Sequence, residues 1–415
     1  MKLIGLCGKR PVSPHRSPFS GSFRRKLFGA LVLTLAIAML GVWSLERADA
    51  QLTILHRFGD GSVPNDGATP QAALAVGPDN DLYGVTETKA QYINGGSGTV
   101  FRITPSGKLT IIRSFTHKQY MVSDQPLLNY NGTLVGVTGG GPRRRGAGTL
   151  FELTPAVGSQ QWNLNLAFKF GRNGVLTPNG NVIVGSDGDF YGTTEGTSGN
   201  PDAGTIYKMD PQTFALTVLY NFTNSGAMYP QGALLQGSDG NFYGSTSEFA
   251  FNFTASIFMM TPEGQVTILS QIPGQFSYVS QPLIQAKDGN YYGSFGSSVD
   301  KGFIFKMTPD HVITTIHTFL GSDGRIPSGL VQGPNGNLYG TTQLGGTVGN
   351  GVVFEISTDG SLFTVLHNFG DGTITHDGKN PVGSLVVGPD NFLYGTTNEG
   401  GIGGLGTVFK ISPSH

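Results

Sequence analysis

Gln51-Leu52-Thr53-Ile54-Leu55-His56-Arg57-Phe58 reads as a β-strand, rich in apolar and β-branched residues and with no partner strand before it. At the other end, Gly406-Thr407-Val408-Phe409-Lys410-Ile411 is also a strand, and only Ser412-Pro413-Ser414-His415 follow it. One end carries a strand without a sheet. The other carries a sheet that lacks its last strand.

Between them one phrase recurs. Tyr-Gly, usually after an Asp/Asn-Gly turn, occurs at Tyr83-Gly84, Tyr191-Gly192, Tyr243-Gly244, Tyr292-Gly293, Tyr339-Gly340 and Tyr394-Gly395, and Val135-Gly136 fills the same place once. Successive glycines are 52, 56, 52, 49, 47 and 55 residues apart. Self-similarity at this period marks a repeat fold, and it lies close to the blade length of a propeller. In the last copy Ser384–Val387 reads as a first strand, Phe392–Thr397 as a second and Gly406–Ile411 as a third. Elsewhere a Thr-Pro-x-Gly turn leads to a fourth, as in Leu109–Phe115. We label these positions A, B, C and D.

The chain therefore holds six complete A–D sets, one A–B–C set and one orphan D strand. An open solenoid gives no reason for this offset. A ring does, because pairing the two ends removes an exposed sheet edge. The expected fold is all-β: a seven-bladed β-propeller with four antiparallel strands per blade, spanning residues 51–415 at a period of about 52 residues. Strand Leu52–Phe58 is expected to close it by joining the C-terminal blade. The residue ending strand D is read as Phe58, Phe115, Phe168, Phe222, Ile272, Phe319 or Phe369, a ring of buried contacts between blades. The Tyr of Tyr-Gly is read as core too, its hydroxyl reaching a partner.

Composition agrees. Glycine makes up 64 of 415 residues, and charged residues only 13%, as many short strands joined by glycine turns require. The sole cysteine, Cys7, lies in the N-terminal segment. Disulfides and cysteine-based zinc sites are thus excluded from residues 51–415. Residues 1–50 account for eight of the 26 basic and two of the 27 acidic residues, which leaves the rest at a net charge of −7. That balance argues against nucleic acid as a partner.

Residues 1–50 have the order of an export signal. Arg24-Arg25-Lys26 precedes an uncharged run from Leu27 to Leu45, and Ala48-Asp49-Ala50 supplies a small-residue cleavage site before Gln51. Arg24–Phe28 also resembles a twin-arginine motif. The alternative is an uncleaved anchor, since the 19 uncharged residues approach the ~20 that span a bilayer.

The unit, approximately Gly-x-Asp-Gly-Asn-Phe/Leu-Tyr-Gly-Thr-Thr, then a Gly-rich loop, then Gly-Thr-Val-Phe-Lys-Ile, resembles the Gloeo/Verruco (GloVer) tandem repeat of exported bacterial proteins. The clearest copies are Gly185–Thr194, Gly237–Thr246 and Gly333–Thr342, with Gly406–Pro413 for strand C. The resemblance covers essentially all of residues 51–415. It implies export and a propeller-like fold and brings no catalytic residues. C-terminal anchoring, common among such proteins, is not expected of a sequence that stops at its last blade.

Strands alternate in direction, so D–A and B–C loops share one face and A–B and C–D turns the other. The turns are tight, while the loops are long and unequal, and function on a rigid scaffold sits on such loops. Glu87, Glu195, Glu248 and Glu399 follow strand B in four blades. They read as solvated loop residues fixed by repeat ancestry, or else as part of an acidic ring for a cation or sugar. Arg143-Arg144-Arg145 in the second blade's B–C loop is a solvated charge run or an anion site. Phe249, Phe251 and Phe253 crowd the fourth blade's B–C loop, either as a partner or sugar surface or packed on themselves.

His56, His317 and His367 share one slot of strand D. Equivalent residues on neighbouring sheets stand ~10 Å apart, too far for one metal with ligands at ~2.0–2.1 Å. After residue 50 the only tryptophan is Trp162, which sets aside the repeated tryptophan motif of quinoprotein propellers. Sialidase-type Asp boxes, a G-x-S-x-G motif and a P-loop are absent. We expect no catalytic residues, metal or cofactor, and a monomer. The expected function is an exported, non-catalytic binding or scaffold propeller. Its partner would be a glycan, a peptide or a surface protein, met on the D–A/B–C face. The alternatives are a glycosidase or lyase acting at the channel mouth, and a purely structural envelope component.

Overall fold

The computed structural model describes residues 51–87, 96–116, 125–138, 148–156, 162–171, 178, 180–194, 203–223, 229–247, 255–272, 282–296 and 301–413. They form seven four-stranded antiparallel sheets and, among the described residues, no helix. Six sheets run A–B–C–D in chain order. The seventh is closed by the first strand: Leu52–Arg57 pairs antiparallel with Thr407–Ile411, Leu52 opposite Ile411 and Arg57 opposite Thr407. The Phe58 amide continues the ladder to the Gly406 carbonyl at 3.0 Å. Without this strand, Thr407–Ile411 would expose a row of unpaired backbone groups.

Each word of the repeated phrase has a packing role. The glycine of Tyr-Gly faces the aromatic residue of strand C: Gly84 pairs with Phe101, Gly192 with Tyr207, Gly395 with Phe409, and so on around the ring. A Cβ on any of these seven glycines would stand within 2.6 Å of that ring. Glycine is there so that the aromatic can lie flat across strand B. The tyrosine ring is buried, and its hydroxyl donates to the turn aspartate four residues earlier, as Tyr191 does to Asp187 at 2.7 Å and Tyr394 to Asp390 at 2.7 Å. In the sixth blade Asn335 replaces that aspartate and donates to Tyr339, which turns to Glu355 at 3.0 Å.

The two threonines that follow divide their work. The first reaches the next blade: Thr193 donates to the Gly232 carbonyl at 3.1 Å, Thr396 to Ala72 at 3.2 Å. The second meets a threonine of strand C within its own blade, as Thr194 meets Thr205 at 2.7 Å and Thr397 meets Thr407 at 2.9 Å.

Adjacent blades approach most closely at their A segments, which places strand A at the centre. A Cβ on Gly383 would stand 2.7 Å from the Ala72 backbone, and one on Gly180 would overlap the Gly232 carbonyl. On the A–B/C–D face a glutamine of strand A latches onto the preceding blade. Gln236, Gln285 and Gln332 accept from the amides of Ser186, Ser238 and Lys287 at 2.7, 2.8 and 2.9 Å.

Seven core clusters each straddle one junction. At six of them the phenylalanine ending strand D meets the strand C aromatic of the next blade. These are Phe58–Phe101, Phe115–Phe151, Phe170–Tyr207, Phe222–Phe258, Phe319–Phe354 and Phe369–Phe409, with centroids 5.3 to 5.6 Å apart. Ile272 packs at the remaining one. One expectation is corrected here. Phe170, not Phe168, takes the second blade's place: its amide bonds to Gly148, as that of Phe222 bonds to Gly204. Strand Trp162–Lys169 is the longer for it, and Phe168 falls two residues earlier, on the same side, with its ring 5.1 Å from that of Phe170.

Candidate functional site

Strand D of three blades carries the histidine seen in the sequence, two residues before the phenylalanine. Each histidine is tied to an aspartate in its own D–A loop. His56 Nε2 lies 2.9 Å from Asp66 Oδ2, His367 2.7 Å from Asp377, and His317 3.0 Å from Asp323. The aspartate also accepts the first amide of the loop: Gly59 to Asp66 at 3.0 Å, Gly370 to Asp377 at 3.1 Å. Each imidazole stands edge-on to its phenylalanine, 4.8 to 4.9 Å away. Burial pushes the His317 pKa below its ordinary value, against the pull of Asp323. These clamps shape loops. Their aspartates were not singled out from the sequence, although His-x-Phe-Gly-Asp-Gly-x4-Asp-Gly occurs twice, at His56–Gly67 and His367–Gly378.

The clamp of the sixth blade forms one wall of a cavity of about 390 Å³ on the D–A/B–C face. Loop 370–379 supplies Ile374, His376, Asp377 and Lys379. The B–C loops of blades six and seven supply Asn350 and Gly400-Gly401. The loop is held from several sides. Arg57, from the closing strand, donates to the carbonyls of Thr375 at 3.0 Å and His376 at 3.2 Å. Asn380 donates from its backbone to Asn350 at 2.9 Å, and Lys379 and Glu399 exchange backbone bonds. The Lys379 ammonium also sits 3.0 Å from the Glu399 carboxylate, at the exposed rim.

Of the acidic residues read from the sequence, two are described. Glu399 is paired with Lys379 beside the cavity. Glu87 accepts from the Gln71 side chain in the first blade. They differ by one residue in register: the Glu87 amide bonds to Thr69, while the matching bond in the seventh blade is Asn398 to Asn380. Glu195, Glu248, Arg143, Arg144, Arg145, Phe249, Phe251 and Phe253 lie outside the described residues. Among the described residues no group of three or more His, Cys, Asp or Glu side chains is placed to hold a metal ion. Nor do the described residues hold a helix long and apolar enough to cross a membrane.

Solved structures share the fold at low identity. A candidate 6-phosphogluconolactonase of Bacteroides fragilis aligns with a TM-score of 0.52 at 15% identity, over 82% of this chain and 98% of that one. The extracellular domain of a candidate one-component system of B. thetaiotaomicron aligns at 0.54 and 10%, over 87% of this chain and 40% of that one. A GH74 enzyme of Niastella koreensis aligns at 0.50 and 14%, over 72% and 45%. At such identities the likeness is one of fold alone. No curated protein matches the chain in sequence. The Gloeobacter/Verrucomicrobia repeat matches residues 144–298 and 278–415, together more than half of the chain, and the protein belongs to that repeat family.

Proposed function

We propose that this protein is an exported, non-catalytic binding propeller that meets its ligand on the D–A/B–C face. The observation that carries the proposal is the difference between the two faces. One is made of short turns latched to each other through Gln236, Gln285 and Gln332. The other bears unequal loops, the cavity of about 390 Å³, and exposed apolar side chains on its loops: Leu320, Val348 and Ile402 are 67%, 50% and 62% exposed. Concave, mixed polar and apolar sites of ~300–1,000 Å³ suit small ligands or the end of a larger one. Placement in the periplasm or outside the cell is supported by the basic, apolar and Ala-Asp-Ala order of residues 24–50.

The test is an array of glycans and peptides probed with the purified full chain. Reproducible, saturable binding to one ligand class is the expected result. Turnover of a polysaccharide by the pure protein would overturn the non-catalytic reading. Silence across both arrays would leave a purely structural role.

A further inference from the structure

The repeat supplies a comparison for two of the cavity's three loops, because they recur at the junction between blades seven and one. There the loop Phe58–Gly67 matches Phe369–Gly378, and the B–C loop of blade seven matches that of blade six. Leu405 stands where Asn350 stands. A Cβ on Gly59 would come 2.6 Å from Leu405 Cδ1, and a Cβ on Gly370 would likewise overlap Asn350 Nδ2. The parallel backbone bridges agree, Gly400 with Leu405 and Gly345 with Asn350. At the seven–one junction Leu405 and Val63 pack on the core cluster around Phe58, and Ala68 is buried. At the six–seven junction the same positions are Asn350, Ile374 and Lys379. Leu405 and Ala68 thus place apolar side chains where Asn350 and Lys379 place polar ones, while Val63 and Ile374 are apolar in both copies.

The charged side chains on this wall already have partners. Lys379 faces Glu399 at 3.0 Å. Asp377 is held by His367 at 2.7 Å and by the Gly370 amide at 3.1 Å. A charged ligand would have to compete with these pairs. What remains is a set of hydrogen-bonding groups: the Asn350 amide, the Thr375 hydroxyl and the His376 imidazole. Ile374 and the glycines add an apolar surface and room for close approach.

We infer that this cavity is a binding site for a neutral, polyhydroxylated ligand, a hexose unit free or at the end of a glycan. Asn350 is its specificity-determining residue, and Lys379, held by Glu399, borders it at the rim. The inference rests on the binding reading above and names its site and ligand class.

The test uses the full chain, the methyl glycosides of glucose, mannose and galactose as probes, and methyl glucuronide and glucosamine as charged counterparts, titrated by calorimetry or ligand-observed NMR. Saturable binding of at least one neutral glycoside, tighter than either charged sugar, is expected. Asn350→Leu imports the residue that already fits the sister junction. It should weaken binding by at least about tenfold and leave the melting temperature unchanged. Lys379→Ala likewise imports the residue of the sister junction, Ala68. It gives a second variant at a more exposed position and should weaken binding in the same direction. Unchanged affinity in both folded variants, preference for a charged sugar, or no binding of any neutral glycoside would overturn the inference. If Asn350→Leu and Lys379→Ala both bind the array ligand as tightly as the wild-type chain, the site is wrong and the binding reading stands. If the wild-type chain binds nothing on them, the binding reading falls as well.

Discussion

Phe58 meets Phe101 edge-on, with ring centroids 5.4 Å apart, and so joins the first strand of the propeller to the next blade. Phe58 is fully buried, and its strand is the outer strand of blade seven. It is thus both the closing strand's anchor and half of a blade junction. Phe58→Ala should cost about 3–5 kcal/mol, the usual range for emptying an aromatic site in a core. The informative comparison is with Phe222→Ala, which removes the same contact, to Phe258, at an interior junction. A closed ring requires the two losses in denaturant unfolding to be similar. A near-silent Phe58→Ala beside a costly Phe222→Ala would mean that the ends do not hold each other.

The glycine of Tyr-Gly allows a sharper test. Gly395 and Gly340 each leave room for a ring, and a Cβ would stand 2.5 Å from Phe409 Cζ or Phe354 Cζ. Both rings are fully buried and packed on all sides, so they cannot swing away. Gly395→Ala should destabilise by about 1–3 kcal/mol through overpacking. Gly395→Ala combined with Phe409→Leu should recover part of that loss. Gly372, with nothing within 4 Å of a Cβ, is the steric control, although its positive φ of 88° adds a backbone cost of its own.

The fold was legible because its signals are local and repeated. Tyr-Gly recurs with a spacing that reports blades, and the unmatched D strand at Leu52–Phe58 reports closure. Both depend on residues within one or two strands. The misplacement in blade two has a simple cause: Phe168 and Phe170 are two apart on one strand, so they share a side, and what separates them is the bond from Phe170 to Gly148 and its ring contact with Tyr207. The acidic ring suffers the opposite problem. Glu87 and Glu399 look alike beside strand B, yet a one-residue shift in register separates them. The His–Asp clamps were half visible. His56 and His367 were seen, but Asp66 and Asp377 lie ten residues on, across a loop whose path no periodicity reports. The cavity is harder still, since it exists through the difference between Asn350 and Leu405, and that difference has meaning only once the two loops are superposed.

Tyr207 is the exception among the strand C aromatics. Its neighbours in the other blades are phenylalanines, and its ring lies over Gly192 as theirs lie over their glycines. Its hydroxyl is buried and has no hydrogen-bond partner among the described residues. A buried polar group left unpaired costs about 1–3 kcal/mol. Tyr207→Phe should therefore be neutral or raise the melting temperature. Tyr191→Phe is the contrast, because it deletes the 2.7 Å bond to Asp187 and should lower stability by about 1 kcal/mol. Equal losses in the two variants would show that the Tyr207 hydroxyl has a partner after all.

The tyrosines also set a limit at high pH. Burial, followed by the hydrogen bond and negative charge of the turn aspartate, pushes the Tyr191 pKa up to about 12. The same causes raise Tyr83, Tyr292 and Tyr394 well above the ordinary 10.0. For Tyr243 burial comes first, then the Tyr291 hydrogen bond and Asp239. Tyr207 is raised by burial alone. In the unfolded chain these phenols lose their protons near pH 10. In the folded chain they keep them beyond it. The unfolded state therefore binds fewer protons than the native state above that pH, and stability falls as pH rises. Below pH 10 both states hold the proton and the contribution is flat. Because tyrosines at blade after blade respond together, unfolding in alkali should set in steeply just above pH 10, with a slope greater than one proton can give. Melting temperature followed from about pH 8 to about pH 11 checks this. The Tyr191→Phe and Tyr394→Phe variants, each lacking one such phenol, should show a shallower slope. A melting temperature that stays level through pH 11 would mean that these hydroxyls reach water and titrate as they do in the unfolded chain.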